Sequence, residues 1–261
     1  FQKTKDKRVI SFLKSLNLET IELEITKEYW LEDRFQINCI KYGFYDSAIL
    51  INLNGKKIFN LNDCDVSELK DLMSLKKKYG SCDILLTQFS YAAWKGGKNN
   101  QEWEKKAANE KIKTIINQAK ILDVKNVIPF ASFIKFSNLR NHYLNRNANN
   151  PDIVISKNKE SKINLVFFKP YEEQKFEEIK QNENSLRFWR EEIEKSNKKN
   201  LLDYKKKFFF DELNKEFISY RNRIFKKNSY IFLKILSMVP FINPFDKIII
   251  EVDSQKPIRQ P

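Results

Sequence analysis

The chain has 261 residues, of which 41% are hydrophobic, 13% aromatic and 31% charged. This apolar content excludes a wholly disordered polymer, and the length suffices for one large domain or two small ones. The net charge of +14 is typical either of a protein attracted to anionic polymers and surfaces or of a compositionally biased genome.

Hydrophobic periodicity predicts strands and helices that alternate along the first two-thirds of the chain. In chain order the predicted elements are a helix at Arg8–Leu16, strands at Leu18–Thr26, Phe35–Tyr42, Ala48–Leu53 and Lys57–Leu61, a helix at Val66–Tyr79, a strand at Asp83–Phe89, a helix at Gln101–Leu122, and strands at Asn126–Phe130 and Ile163–Phe168. Asn54-Gly55 predicts a tight hairpin between the third and fourth of these strands.

The last third of the chain has a different residue pattern. Charged helical periods run through Tyr171–Asn200 and Asp211–Met238, and a strand is predicted at Lys247–Val252. We therefore predict two parts: residues 1–169, with alternating strands and helices, and residues 170–261, a basic and mainly helical region.

Cysteine use and the apolar pattern predict a cytoplasmic protein. Three cysteines are an odd number without C-x-x-C spacing, so we expect neither a disulfide framework nor a zinc knuckle. The longest apolar stretch, Tyr230–Phe241, is too short to span a bilayer, and the N-terminus does not read as a signal peptide. Because the chain opens on Phe1 rather than Met, we expect it to be a piece of a longer product.

Polar residues follow successive predicted strands. Asp63 and Asp65 come after the strand that closes the hairpin, and Gln88 lies near the end of the next strand. A carboxylate at the end of a buried strand is held rigidly beside a cleft, where metal ligands and catalytic carboxylates are commonly placed. The alternatives are structural, with Asp65 capping the next helix and Asp63 making an Asx turn.

Four short motifs resemble the later part of a metallo-β-lactamase-fold protein. They are Tyr45-Asp46-Ser47-Ala48-Ile49-Leu50, Asn60-Leu61-Asn62-Asp63-Cys64, Asp83-Ile84-Leu85-Leu86-Thr87-Gln88-Phe89-Ser90 and Pro129-Phe130-Ala131. Over about Arg8 to Phe168 the chain resembles the subgroup of CMP-N-acetylneuraminate hydroxylase and UlaG-like hydrolases. The resemblance implies an α/β fold, an αββα sandwich that is incomplete here, with a metal site along one edge and a mainly helical C-terminal third.

The same resemblance implies a reaction and a set of site residues. A metal-activated water would attack a phosphoryl or acyl-type centre in a small-molecule or carbohydrate-type substrate, with zinc as the expected divalent metal. Asp63 matches the metal-ligating aspartate of the family, and Asp46, Gln88 and His142 are expected to line the site. An oxygenase-type reaction ranks lower, because nothing in the sequence resembles an iron–sulfur ligand set.

Two departures separate the chain from the family pattern. The first metal motif, H-x-H-x-D-H, is absent, and in a longer product it would lie before Phe1. No histidine occurs in Gln36–Ser47, shortly before the aspartate motif. One aspartate and one histidine cannot close a catalytic zinc site, which takes three protein ligands and an open position. We therefore expect either an incomplete metallohydrolase or a metal-free relative, a pseudoenzyme.

Several residues keep two interpretations. His142 is either a residue of the metal site or a hydrogen-bonded surface histidine, and Cys64 is a ligand, a nucleophile or a buried thiol. Tyr91, Trp94 and Trp103 either line a substrate pocket or pack in the core.

A second hypothesis of another class is a non-catalytic binding module for nucleic acid or an anionic glycan. It rests on a basic patch with interleaved aromatic residues, formed by Lys205, Lys206, Lys207, Phe208, Phe209 and Phe210 with Arg221, Arg223, Lys226 and Lys227. Such a patch suits phosphates and bases, and the alternative is a solvated helix face. The apolar residues from Phe232 to Met238 likewise either dock a partner or a membrane surface or belong to a core.

Overall fold

The computed structural model describes residues 2–25, 27–43, 46–159, 161–199, 201 and 210–238. Packing divides the chain into two compact units, Phe1–Asp203 and Tyr204–Pro261. The division predicted after residue 169 rests on composition and stays a prediction, while the first compact unit continues past that point.

Within the described residues, seven strands form one sheet, and their order across the sheet is their order in the chain. The strands are β1 (Glu28–Glu32), β2 (Phe35–Tyr42), β3 (Asp46–Leu53), β4 (Lys56–Asn62), β5 (Ile84–Thr87), β6 (Asn126–Pro129) and β7 (Asn164–Leu165). Neighbouring strands are antiparallel from β1 to β4 and parallel from β4 to β7.

The β3–β4 hairpin turns at the predicted pair. Asn54 and Gly55 both have positive φ, 53° and 79°. A two-residue type I′ turn requires positive φ at both central positions, and Asn and Gly tolerate it best. The turn fixes a register in which Leu50 pairs with Phe59.

Five α-helices and two short 3₁₀ helices complete the described part of the first unit. They are α1 (Arg8–Ser15), α2 (Leu69–Tyr79), α3 (Gln101–Ile121), the 3₁₀ helix His142–Asn147, α4 (Pro151–Lys157), the 3₁₀ helix Phe176–Glu178 and α5 (Glu183–Lys198). Asparagine side chains cap three of them: Asn100 accepts from the amide of Trp103 at the start of α3, Asn150 from that of Ile153 at the start of α4, and Asn182 from that of Asn184 at the start of α5.

One face of the sheet is buried beneath the helices. A row of buried residues runs from strand to strand by direct pairing, and its members are Leu50, Phe59, Leu85, Val127 and Leu165. Leu72 of α2, Ile115 of α3 and Leu186 of α5 belong to the same hydrophobic cluster. Each such side chain contributes about 1.5–3 kcal/mol when fully buried, so this face holds the unit together.

The opposite face carries isoleucines that are only partly buried. Ile37 pairs with Ile51, and Ile51 pairs with Ile58, across three neighbouring strands. The predicted α/β class is confirmed: the described residues are mixed α/β, with a seven-stranded sheet, helices and a helical C-terminal part.

Two sequence predictions of single elements differ from the structure. Residues 18–25 form no strand, and only Leu23 pairs, in an isolated bridge with Gln2. Leu18 and Ile21 are about half exposed, at 51% and 48%, so their alternation has no sheet to pack on. Of the helix predicted at Tyr171–Asn200, the structure forms only the second 3₁₀ helix and α5.

The described part of the second unit is helical, as predicted. It contains α6 (Phe210–Lys227) and α7 (Tyr230–Met238), whereas the strand predicted at Lys247–Val252 lies outside the described residues. In the part of the chain that the structure describes, no helix is both long enough and apolar enough to cross a membrane.

Candidate functional site

Two predicted site residues are neighbours at one edge of the sheet. β4 and β5 are parallel and end together, with Asn62 paired to Thr87. The next residues along the two strands are Asp63 and Gln88, so both emerge at the same edge. Asp63 is exposed and Gln88 is partly buried.

Asp46 reaches the same edge from the antiparallel strand. In the β3–β4 ladder Ile49 pairs with Asn60, so Asp46 at the start of β3 lies at the same end of the sheet as Asp63, which directly follows β4. Both carboxylates influence the same thiol, that of Cys64. Burial is the largest cause that raises its pKa, to about 12, and the charges of Asp46 and Asp63 come next. This protonated, buried thiol supports the structural interpretation of Cys64.

The local turn explains why Asp63 is exposed while Cys64 is buried. Asn62 adopts positive φ, 53°, and its amide donates to Asn60 Oδ1 at 3.0 Å. The Cys64 amide donates to the Leu61 carbonyl at 2.9 Å, which directs the thiol inward. The Asx turn at this point is therefore made by Asn60 rather than by Asp63.

Asp65 does not cap α2, contrary to the structural alternative. The helix begins at Leu69, three residues later than the predicted Val66, and its N-terminus has no side-chain cap. Asp65 Oδ1 instead accepts from Lys111 Nζ of α3 at 3.1 Å, and its carbonyl accepts from the Tyr42 hydroxyl at 3.0 Å. This pairing with Lys111 makes Asp65 a link between the strand edge and α3.

His142 makes its described hydrogen bond within its own helix. It is partly buried at the start of the 3₁₀ helix His142–Asn147, where its carbonyl accepts from Asn145 Nδ2 at 2.9 Å. The next turn of that helix buries Leu144, which packs with Tyr91 and Ala108.

A metal does not fit the described residues alone. Among them no group of three or more His, Cys, Asp or Glu side chains is placed to hold a metal ion. A catalytic zinc site takes three protein ligands, so the edge that carries Asp46 and Asp63 is short of ligands.

A buried polar network behind the edge was not singled out in the sequence. Ser90, directly after Phe89, exchanges hydrogen bonds with Ser132: the Ser90 amide donates to Ser132 Oγ at 3.1 Å, and Ser132 Oγ donates to the Ser90 carbonyl at 2.8 Å. The amide of Asn149 donates to Ser90 Oγ at 2.9 Å, and Asn149 Nδ2 donates to the carbonyls of Phe89 and Ala108. These bonds fix the loops that follow β5 and β6, and they join residues too far apart in sequence to form a motif.

The three aromatic candidates separate into two environments. Tyr91 is buried and its hydroxyl donates to the Leu144 carbonyl at 2.6 Å, which is a core role. Trp94 and Trp103 are 60% and 42% exposed and meet edge to face with ring centroids 5.4 Å apart. The core interpretation is therefore wrong for the tryptophan pair.

The basic patch is only partly within the described residues. Lys205, Lys206 and Lys207 lie outside them, whereas Arg221 and Arg223 are exposed on α6. The solvated helix face is the arrangement that these two arginines adopt.

Comparison with known proteins yields distant structural likenesses. The chain matches no protein-family model and no curated protein sequence. Among solved structures it is similar to CmlA, a diiron β-hydroxylase from Streptomyces venezuelae, with a TM-score of 0.38 and 9% identity over 50% of this chain and 30% of that one. A mutant of the CmlA β-hydroxylase gives a TM-score of 0.44 and 7% identity over 64% of this chain and 37% of that one.

A third likeness is to a putative Zn-dependent hydrolase of the metallo-β-lactamase superfamily from Thermotoga maritima. Its TM-score is 0.29, with 16% identity over 46% of this chain and 54% of that one. The chain thus spans between 30% and 54% of the length of these proteins. With TM-scores below 0.5, these likenesses carry no argument about the chemistry of this chain, and the metals and reactions belong to those proteins.

Proposed function

We propose that this protein supplies one edge of a metal-dependent hydrolase site of the metallo-β-lactamase type. Asp63 is a ligand of a divalent metal, with zinc as the expected ion, and Asp46, Gln88 and His142 line the site. The substrate is a small-molecule or carbohydrate-type compound with a phosphoryl or acyl centre. The three buried free cysteines favour a reducing, cytoplasmic setting for this enzyme.

One observation carries the proposal: Asp46 begins β3, and Asp63 and Gln88 directly follow β4 and β5, so all three lie at one edge of the sheet. Two carboxylates at one strand edge create a negative potential that favours a divalent cation, and ionised carboxylates are acceptors only. The amide of Gln88 offers both a donor and an acceptor beside them. This edge therefore has the polarity that a metal-assisted hydrolase needs.

The described residues are insufficient for a complete centre, so we assign no catalytic step to them. Three protein ligands are needed for a catalytic zinc, and here two carboxylates converge without a third ligating side chain in the described part of the chain. In this proposal the remaining ligands come from residues beyond those described. The role of Asp63 is to bind, and that of Asp46 is to add negative charge next to it.

The test is metal affinity in the protein purified from its native host. Equilibrium dialysis against Zn²⁺ and Mn²⁺ would compare the wild type with Asp63→Asn and with Asp65→Asn, a neighbouring exposed carboxylate that pairs with Lys111. We expect Asp63→Asn to weaken metal binding by at least tenfold and Asp65→Asn to leave it within about twofold. Equal affinity in all three proteins, or no binding by the wild type, would overturn the proposal.

The alternative function, a non-catalytic module that binds nucleic acid or an anionic glycan, is favoured by the exposure of Arg221 and Arg223 on α6. Salt distinguishes the two functions. Binding of a polyanion releases counterions, so its affinity falls steeply as salt rises. Hydrolysis that a chelator abolishes would support the enzyme instead.

A further inference from the structure

The second unit presents an apolar stripe that no described residue covers. Ile231, Ile235 and Met238 are spaced i, i+4, i+7 along α7, which places them on one side of the helix. They are 70%, 55% and 75% exposed, and Phe232 beside them is 57% exposed. Isolated surface apolar residues are ordinary, but a continuous stripe of this size marks an interaction surface.

The stripe is held in a fixed relation to the end of α6. The rings of Phe225 in α6 and Tyr230 in α7 meet edge to face with centroids 5.0 Å apart. Asn228 Nδ2 donates to the Ile224 carbonyl at 3.0 Å, and the Leu233 amide donates to the Ser229 carbonyl at 3.0 Å. The junction of the two helices therefore has defined geometry.

The charge beside the stripe has one sign. From Phe217 to Met238 the chain contains no Asp or Glu, and its charged residues are Arg221, Arg223, Lys226, Lys227 and Lys234. The first four are exposed near the end of α6, and within the described residues no carboxylate forms a salt bridge with them. A partner that covers this surface must therefore offer both apolar groups and negative charge.

We propose that the end of α6 and the stripe of α7 bind the surface of an anionic lipid bilayer. Aliphatic and aromatic side chains enter the boundary between headgroups and acyl chains, while Lys and Arg contact the anionic headgroups. Nucleic acid would use the cations but would leave the isoleucines exposed to water. A second copy would cover the isoleucines, but the carboxylates of its α6, Asp211, Glu212 and Glu216, lie toward the start of that helix, away from the stripe.

The experiment is co-sedimentation of the full chain with vesicles of phosphatidylcholine alone or mixed with phosphatidylserine. We expect binding to the mixed vesicles and little to the neutral ones. Ile231→Glu/Ile235→Glu should weaken binding more than tenfold, and Lys226→Gln/Lys227→Gln roughly 25-fold, about fivefold per lysine. All seven positions changed here and in the controls are exposed, so circular dichroism should match the wild type.

Matched controls lie in the first unit. Met73→Glu changes a side chain of α2 that is 64% exposed, and Lys113→Gln/Lys120→Gln removes two charges from α3. Both should leave vesicle binding unchanged. The proposal is overturned if the wild type binds neither vesicle, or if the α7 variant binds like the wild type. It is also overturned if the wild type binds duplex DNA or dimerises through the stripe but does not bind anionic vesicles.

Discussion

Thr87 and Gln118 lie 31 residues apart in the chain and are joined by a buried hydrogen bond of 2.8 Å from Thr87 Oγ1 to Gln118 Oε1. Gln118 Nε2 donates in turn to the Val66 carbonyl at 2.9 Å. One fully buried side chain of α3 thus ties together the end of β5 and the segment that follows Asp63 and Asp65. The candidate edge is therefore positioned by the helix beneath it.

Removing the Thr87 hydroxyl tests this tie. Thr87→Val leaves Gln118 Oε1 buried without its donor, and we expect the free energy of unfolding to fall by about 1–3 kcal/mol. Urea denaturation measures it. The control is Thr114→Val on α3, the helix that carries Gln118, and it should change the free energy of unfolding by less than about 0.5 kcal/mol. Equal effects of the two substitutions would contradict the role given to the bond.

How far the sequence predicts the fold depends on whether the deciding contact is local. The Asn54-Gly55 turn contains its own conformational requirement, so the hairpin and its register could be predicted. β1 was missed because its turn uses Arg34 at φ 60° instead of a glycine. The strand predicted at Leu18–Thr26 is wrong over residues 18–25, because alternation alone does not say whether a sheet lies alongside.

The candidate site was also predictable only where the deciding contacts are local in sequence. The strand ends that carry Asp63 and Gln88 were predictable, since each follows an apolar run. That Asp46 lies at the same edge as Asp63 depends on the β3–β4 hairpin, which turns at Asn54-Gly55. The pairing of Asp65 with Lys111, 46 residues away, could not be predicted, because a helix cap uses the same residue type at the same place.

Glu104 and Arg146 form a second ion pair, between a fully buried carboxylate and a partly exposed guanidinium, and we predict that it depends on both partners. Arg146 Nε and Nη2 donate to the two oxygens of Glu104, at 2.8 and 2.6 Å, and Asn147 Nδ2 adds a third bond. Arg146→Met leaves a carboxylate buried without its cation, which should cost about 3 kcal/mol. Arg190→Met removes the exposed pairs with Asp152 and Glu183 and should cost about 1 kcal/mol or less.

The pH dependence of stability gives this tie a distinct signature. Burial raises the pKa of Glu104, but hydrogen bonds from Arg146 and Asn147 and the charge of Arg146 hold it below its usual 4.5. The stabilisation that ionised Glu104 contributes is therefore fully present above its pKa in the unfolded chain. It is lost as pH falls through the lower pKa of the folded protein. In Arg146→Met burial dominates, so stability should rise as pH falls from about 7 to about 5. An unchanged pH profile in urea denaturation would contradict this assignment.

Gly96 and Gly97 form a matched pair for a backbone prediction. Gly96 has φ +89°, and a Cβ there would meet Asn100 Cβ and Trp103 Cε3 at 2.9 Å, whereas nothing lies within 4 Å of one at Gly97. Gly96→Ala should therefore cost about 2 kcal/mol or more, and Gly97→Ala about 1 kcal/mol or less. Thermal or urea unfolding measures both, and equal costs would show that this loop is not held as described.

The convergence of Asp46 and Asp63 on Cys64 predicts thiol reactivity. With burial and both carboxylates raising the pKa to about 12, about one Cys64 in 10,000 is a thiolate near pH 8. Asp46→Asn and Asp63→Asn should each lower that pKa and speed the reaction with iodoacetamide, about threefold for each half unit. Mass spectrometry of the labelled peptide assigns the rate to Cys64. If Cys64 reacts in Asp46→Asn and Asp63→Asn at the same rate as in Asp65→Asn, the two carboxylates do not influence the thiol.

The most direct measurement of the central claim is the position of a metal relative to Asp63. Crystals of the protein from its native host, soaked in Zn²⁺ and measured at the zinc absorption edge, would give an anomalous difference map. We expect a peak about 2.0–2.2 Å from a carboxylate oxygen of Asp63. A map with no peak at this edge, or with a peak held by other residues, would contradict it.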